Sequence, residues 1–379
     1  MRRQLLLGAV ACGTAAQALS ACTSAADEDA AARLLRQPLA VPGGGPASAQ
    51  AGGLNSAAAP VPNELMRELV RCATFAPSSH NTQCWTFRLQ ARAIWVEPDL
   101  SRRCPVVDPD DHHLYVSLGC ATENLAQAAL ANGLQASARF DPSGAGRIAV
   151  DLQPTQARQS ALYQAIPARQ CTRGDYDGKP LSAAELSLLE RAGSGNGVRV
   201  MLLTEPRALE QVLEYVVAGN TAQLENPAFV AELKAWVRFS AAEAVRTGDS
   251  LYAGASGNPS LPRWLGSTLM GWVLTPKSEN DRYARQVRNS AGIAVFVSAA
   301  NDKAHWVEAG RCYERFALQA TALGVRNAFL NQAVEVAAVR PQFAAMLALG
   351  SERPDLVVRF GRGPTLPLSM RRPVPAVLA

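Results

Sequence analysis

The sequence predicts an α+β fold written twice in tandem, with the two copies packed against each other as a pseudo-dimer. Three observations carry this expectation. Helical patterns and short β-branched runs alternate from residue 61 to the end of the chain. One glycine-ended helical stretch occurs twice at a fixed distance. The 379 residues are 48% apolar and 18% charged, enough apolar side chain for a sizeable core. That composition excludes a mostly disordered chain, a collagen-like repeat and a coiled coil.

The repeat is the most informative feature. Gly119, Glu123, Ala126, Ala129, Ala131 and Gly133 align without a gap to Gly310, Glu314, Ala317, Ala320, Ala322 and Gly324, at a constant offset of 191 (310 − 119). Both stretches are apolar at helical spacing, and the terminal glycine is a helix stop. The flanks correspond as well: a helix start precedes each copy and an extended segment follows it. The junction between the halves falls near residues 155–168.

The elements read in order as follows. Residues 1–21 are a signal peptide: Arg2 and Arg3 precede an apolar run to about Leu19, too short to span a membrane stably. The Arg-Arg-x-Leu-Leu start resembles a twin-arginine export signal. Leu19-Ser20-Ala21-Cys22 resembles a lipoprotein cleavage box, which makes Cys22 the lipidated first residue. The expectation is an exported protein, periplasmic or in the cell envelope, held to the membrane by lipid. Residues 22–60 are dominated by Ala, Gly, Pro and Ser and read as a flexible tether.

The first half, 61–160, opens with a helix to about Thr74. Strands follow at Trp85–Gln90 and Ile94–Glu97, then the repeat helix, then strands at Gln135–Phe140 and Ile148–Leu152. The second half, 161–379, has Ser182 and Glu185 spaced as a capping box. Strands are expected at Val198–Leu203, Ile293–Val297, Asn327–Leu330 and Leu356–Phe360, and helices at Arg207–Ala218 and Asn226–Arg246. Residues 247–289 have no counterpart in the first half. Their Trp264, Met270 and Trp272 on Gly- and Pro-bounded loops suggest a lid over a binding site.

Composition and motifs also narrow the chemistry. The net charge of +5, or +3 without Arg2 and Arg3, gives no support for a nucleic-acid protein. Cys72, Cys84, Cys104, Cys120, Cys171 and Cys312 form no C-x-x-C pair, and neither a disulfide nor a cysteine metal site is expected. Asp110-Asp111-His112-His113 reads as an acid-capped helix start rather than a metal site. No phosphate-binding Walker loop, G-x-G-x-x-G fingerprint or Ser-His-Asp arrangement is present.

Ala76-Pro77-Ser78-Ser79-His80-Asn81-Thr82-Gln83-Cys84-Trp85-Thr86-Phe87 resembles the A-P-S-x-x-N-x-Q-P-W-x-F segment of the flavin-dependent nitroreductase family. More narrowly, the chain is similar to the duplicated, lid-bearing branch typified by the mycobacterial Acg protein. The resemblance runs from about residue 60 to the end. It takes in Arg169-x-x-x-Arg173 before Tyr176, Asn331-Gln332-Ala-Val-Glu335 and the closing Arg371-Arg372-Pro373. Cys84 stands in place of the family proline, and Cys171-Thr172 where Thr-Asn is usual.

The resemblance implies bound FMN. Its phosphate needs fixed cations, and arginine forks match phosphate oxygens two at a time. Arg169, Arg173, Arg371 and Arg372 are the candidates, with Thr172 between the first pair. The polyol and ring edge need short donors and acceptors on a stiff turn, which Ser78, Ser79, Asn81 and Gln83 could supply after Pro77; for Asn81 and Gln83 turn and cap chemistry is the alternative. Asn331 and Gln332 fall where the family places a backbone N–H against flavin N5. Gly193-Ser-Gly-Asn-Gly replaces the turn motif in the second half, so one flavin per chain is expected. The implied function is an FMN-dependent oxidoreductase that passes electrons to a small acceptor such as a quinone or nitro compound, with the chemistry on the cofactor and no catalytic side chain. The alternative is a protein that sequesters or stores FMN under a closed lid. The pseudo-dimer implies a monomer. The electron donor is not legible.

Overall fold

The computed structural model describes residues 25–38 and 60–379; Cys22 and the signal peptide lie outside the described residues. A helix, α1 (Ala25–Leu35), occupies part of the stretch expected to be a tether. Ala31 and Ala32 are buried among Ala241, Ala244, Val245, Tyr252, Ala255, Leu368 and Met370, so small side chains give it a packing face that composition alone concealed.

Helix α2 (Asn63–Thr74) buries Met66, Leu69, Val70 and Ala73 at helical spacing. After a turn over residues 75–84, β1 (Trp85–Leu89) and β2 (Ala93–Pro98) form a hairpin. The long helix α3 (His112–Ala131) is buried along most of its length, and β3 (Leu134–Asp141) and β4 (Arg147–Pro154) follow. The first sheet is antiparallel in the order β1-β2-β4-β3.

A short helix, α4 (Ala161–Ala165), leads to α5 (Ala183–Ala192), where the capping box of Ser182 and Glu185 is formed. Strand β5 (Val198–Leu203) begins the second sheet. The chain then leaves the sheet through α6 (Pro206–Glu225), α7 (Pro227–Ala235), β6 (Val237–Arg238), α8 (Ala241–Thr247), β7 (Leu251–Tyr252), α9 (Arg263–Val273) and α10 (Pro276–Arg288). It returns in β8 (Gly292–Ser298), and α11 (Lys303–Ala322), β9 (Arg326–Phe329), α12 (Gln332–Glu335), α13 (Arg340–Met346) and β10 (Arg353–Gly361) complete it. The second sheet has the order β5-β8-β10-β9, also antiparallel.

Two expectations are corrected here. The single helix expected over Asn226–Arg246 is broken at Trp236–Ser240: β6 pairs in parallel with β7, and Ser240 accepts a hydrogen bond from Glu243 N to start α8 afresh. The insertion begins at the end of β5, not at residue 247. Strand β5 pairs directly with β8, so residues 204–291 stand where the first sheet has only the connection through Gln90, Ala91 and Arg92.

The two layers meet where α3 packs on α11. A Cβ at Gly119 would come within 2.0 Å of Val307 O, and a Cβ at Gly310 within 1.9 Å of Val116 O. Only glycine permits this backbone approach. Chain segments also cross between the layers. Phe87 N donates to Val377 O and Ala379 N to Phe87 O, adding the C-terminus to the edge of the first sheet. Thr172 N donates to Asn327 O at the edge of the second.

Candidate functional site

The turn after α2 is shaped by three left-handed residues, His80 (φ 49°), Asn81 (φ 54°) and Gln83 (φ 53°). Asparagine tolerates this region better than most residues. Side-chain hydrogen bonds secure the strained path. Asn81 Nδ2 donates to Ser250 O (2.9 Å) and Met370 O (3.2 Å), Gln83 Nε2 donates to Gly248 O (2.8 Å), and Gln83 Oε1 accepts from Arg372 N (2.7 Å). Ser78 Oγ accepts from Gln83 N (2.8 Å). The turn is thereby held against both the insertion and the C-terminal segment.

It forms one wall of a cavity of about 610 Å³, within the usual range for a small-molecule site. Pro77, Ser78, Ser79 and His80 line that wall; Arg173, Asn331, Gln332 and Glu335 line another. Val107, Val116, Phe229, Leu233, Phe239 and Phe329 give apolar surface between them. Gly266, Leu269, Met270 and Val273 line a further side. The stretch expected to be a loop-borne lid is the helix α9, and of the three residues that suggested a lid only Met270 lines the cavity, Trp264 and Trp272 being exposed on its outside.

Six of the twelve expected cofactor residues therefore share one space: Pro77, Ser78, Ser79, Arg173, Asn331 and Gln332. The other six do not line it. Asn81 and Gln83 are spent on the turn itself. Thr172 is fully buried, with Oγ1 donating to Gln170 Oε1 (3.1 Å). Arg169 donates to Phe75 O (2.6 Å) and pairs with Glu314 (3.2 Å). Arg371 donates to Thr74 O (2.8 Å), Phe75 O (3.2 Å) and Ala76 O (3.2 Å). Arg372 reaches Gln83 O (3.4 Å). Of the four arginines expected to hold phosphate, only Arg173 lines the cavity. The carbonyls at and beyond the C-terminus of α2 lack intrahelical donors, and the buried guanidiniums of Arg169 and Arg371 satisfy them.

Arg173 differs from its neighbours. Its guanidinium has no hydrogen-bond or ion-pair partner among the described residues and is only half-buried. It stands close enough to His80 to repel a proton there: burial, with the Arg173 charge, pushes the imidazole down to about 4. Gln332 Oε1 is buried without a partner. The first N–H groups of the short helix α12 have no intrahelical acceptor. An anion for Arg173 and a donor-bearing ring edge for Gln332 would satisfy both orphans, and the apolar walls suit a flat ring. These residues fit FMN.

Sequence reasoning missed His113. It lines the cavity, with Nδ1 3.6 Å from Asp108 Oδ1 and Nε2 3.4 Å from Asn331 Nδ2. Burial disfavours its imidazolium, but the hydrogen bond and charge of Asp108, with the charge of Glu335, outweigh it and raise its pKa above the ordinary histidine value. Asp108, not Asp110 or Asp111, caps α3: its carboxylate accepts from His113 N (3.0 Å) and Leu114 N (2.9 Å). Asp111 instead takes a left-handed turn (φ 60°). The clue was Asp108 five residues before a His pair, a pattern indistinguishable in sequence from any capped helix. Asp108, His112 and His113 cluster closely, but His112 Nε2 is 2.8 Å from Asp355 Oδ1, and burial, with the His113 and Arg353 charges, holds its imidazole well below the ordinary histidine range.

Cys84 is buried in the wall behind the turn, and burial pushes its thiol up to about 12, so it stays protonated and inert. All six cysteines in the described residues are free.

No family model matches this chain. It is similar to two curated relatives from Mycobacterium tuberculosis, strains CDC 1551 / Oshkosh and H37Rv, each bearing the name "Putative NAD(P)H nitroreductase". Each is 26% identical over 327 residues, covering 83% of this chain and 91% of the relative. The chain is nitroreductase-like at that level. Among solved structures, a BluB-like flavoprotein from Clostridium difficile 630 matches with a TM-score of 0.38 and 11% identity, covering 57% of this chain and 97% of that one. A nitroreductase with bound FMN from Desulfitobacterium hafniense DCB-2 matches with a TM-score of 0.35 and 14% identity, covering 57% and 94%. At those values the structural likenesses carry no weight for the chemistry of this chain.

Proposed function

We propose that this protein is an FMN-dependent oxidoreductase of nitroreductase type, acting on a small acceptor such as a quinone or nitro compound. The observation that carries the reading is the unpaired Arg173 guanidinium in a largely apolar cavity that the Pro77–Ser79 turn also lines. Bound FMN would supply the electron transfer. The chain's own residues do the rest. Arg173 neutralises the phosphate, while Ser79, Asn331 and Gln332 orient the ring edge. His113, held by Asp108, keeps a proton on the cavity wall, and Leu269 and Met270 exclude water.

The proposal includes a duplicated chain of the lid-bearing branch, packed as a pseudo-dimer with one flavin. The equal strand order of the two sheets supports it. So does the contact pair Gly119–Val307 and Gly310–Val116, since 307 − 116 and 310 − 119 both give 191. On the side of the missing reciprocal site, a Cβ at Gly195 would meet the side chains of Glu308, Cys312 and Arg315. Export and lipid anchoring at Cys22 belong to the proposal and rest on the sequence alone. The second reading is FMN held without turnover, with Gly266, Leu269, Met270 and Val273 of α9 on the cavity wall.

Purified protein should be yellow, or become so on FMN addition, with one equivalent per chain. Protein that takes up no FMN refutes both readings. Bleaching by NADH, NADPH or a quinol favours the enzyme, and a flavin that stays oxidised with all three favours storage. Mass analysis of the mature N-terminus tests Cys22.

A further inference from the structure

Helix α9 is apolar on two opposite faces. Successive residues turn by 100°, so Gly266, Met270 and Val273 fall on one side and Trp264, Thr268 and Trp272 on the other. The first side lines the cavity. The second faces outward: Trp264 is 73% exposed and Trp272 76%. No charged residue interrupts the run from Trp264 to Leu274. Two water-exposed tryptophans on one helical stripe, with Thr268 between them donating its hydroxyl back to Trp264 O, call for a cover.

The position of the N-terminus says what that cover is. Helix α1 packs through Ala31 and Ala32 on Ala241 and Ala244 of α8. Helix α8 in turn holds the start of α9, because Glu243 pairs with Arg263 (2.5 Å) and Ala241 N donates to Ser260 Oγ (3.2 Å). Cys22 lies three residues before Ala25 (25 − 22). Such a stretch spans at most about 11 Å, so a lipid on Cys22 keeps the bilayer close to the end of α1. Arg263 and Lys277 flank the apolar run, each paired with a carboxylate of its own (Glu243 and Asp281), and tryptophan rings favour the headgroup level of a membrane.

We infer that the outer face of α9, through Trp264 and Trp272, rests on the membrane surface to which Cys22 is tethered, bringing the lid of the cavity against lipid. This rests on the proposed anchoring for the nearness of the bilayer, and not on the flavin reading.

The test uses the full lipidated chain on phosphatidylethanolamine–phosphatidylglycerol vesicles in which part of the lipid is acyl-brominated. Bromine quenches only tryptophans at the bilayer. Of the other four tryptophans Trp85 and Trp306 are buried and Trp95 and Trp236 half-buried, so the expected result is partial quenching that Trp264→Phe with Trp272→Phe reduces at least threefold, with no loss of vesicle-bound protein. Quenching that is absent, or unchanged in the double variant, overturns the inference and leaves the face to some other cover. Mass analysis reads the anchor separately. Should Cys22 carry no lipid, the same vesicles are titrated with the unlipidated chain: quenching through Trp264 and Trp272 sustains the contact, and its absence overturns it. Flavin content by absorbance reports on the cofactor independently of either result.

Discussion

Replacing Arg173 with Ala should weaken FMN binding by about 2 kcal/mol, roughly thirtyfold in Kd. The figure follows from the surroundings of the side chain. A charge-assisted bond contributes about 1.5–3 kcal/mol. No carboxylate competes for Arg173, so no internal ion pair is released to offset the loss. Its half-buried position lets water replace part of the interaction, which keeps the effect below the upper end of that range. The assay is quenching of FMN fluorescence on titration with apoprotein at fixed low salt. Arg199→Ala is the control, since that guanidinium is 46% exposed, pairs with Glu352 and does not line the cavity; its Kd should match wild type. Equal affinity in the two variants would refute the assignment of Arg173 to the phosphate. An Arg371→Ala variant that loses affinity without losing stability would show that the phosphate sits at the end of α2 instead.

Arg371→Met should lower stability by about 3 kcal/mol, read as a fall in the urea midpoint, because it strips donors from the carbonyls of Thr74, Phe75 and Ala76. Gly310→Ala should be more damaging than an ordinary surface change, by about 3 kcal/mol or more, since its Cβ would overlap Val116 O; a variant that melts with wild type would contradict the α3–α11 crossing. His113→Gln should narrow the stability difference as pH rises. The folded pKa is raised, so the wild-type advantage is fully present below the unfolded value of about 6.5 and is lost as pH climbs through the folded value; thermal melts of both proteins from pH 5.5 to 8.5 measure it. Met270→Ser with Leu269→Ser should loosen the lid and raise the rate at which iodide quenches bound flavin, with FMN content preserved.

The helices and strands were legible because their residues carry the period of their elements. Val198–Leu203 is a strand in both readings, and the capping box at Ser182 and Glu185 is formed as its spacing demands. These are local properties, set by hydrogen bonds and side chains within one turn or one strand. The repeated glycines were visible as well, although their purpose was not: the sequence cannot show that Gly119 faces Val307 across 188 residues (307 − 119). The break at Trp236 was hidden because β6 is two residues long and exists only through its pairing with β7. Which arginine remains free was likewise a tertiary matter. Arg169, Arg173, Arg371 and Arg372 are equivalent as letters, each a charge that binds phosphate or carbonyl alike. The end of α2, with its unpaired carbonyls, draws in Arg169 and Arg371, and Arg173 is left facing the cavity because no acceptor in the described chain reaches it. Residue type and spacing determined the elements and the candidate set, and three-dimensional competition for hydrogen-bond partners decided which candidates stayed available for a ligand.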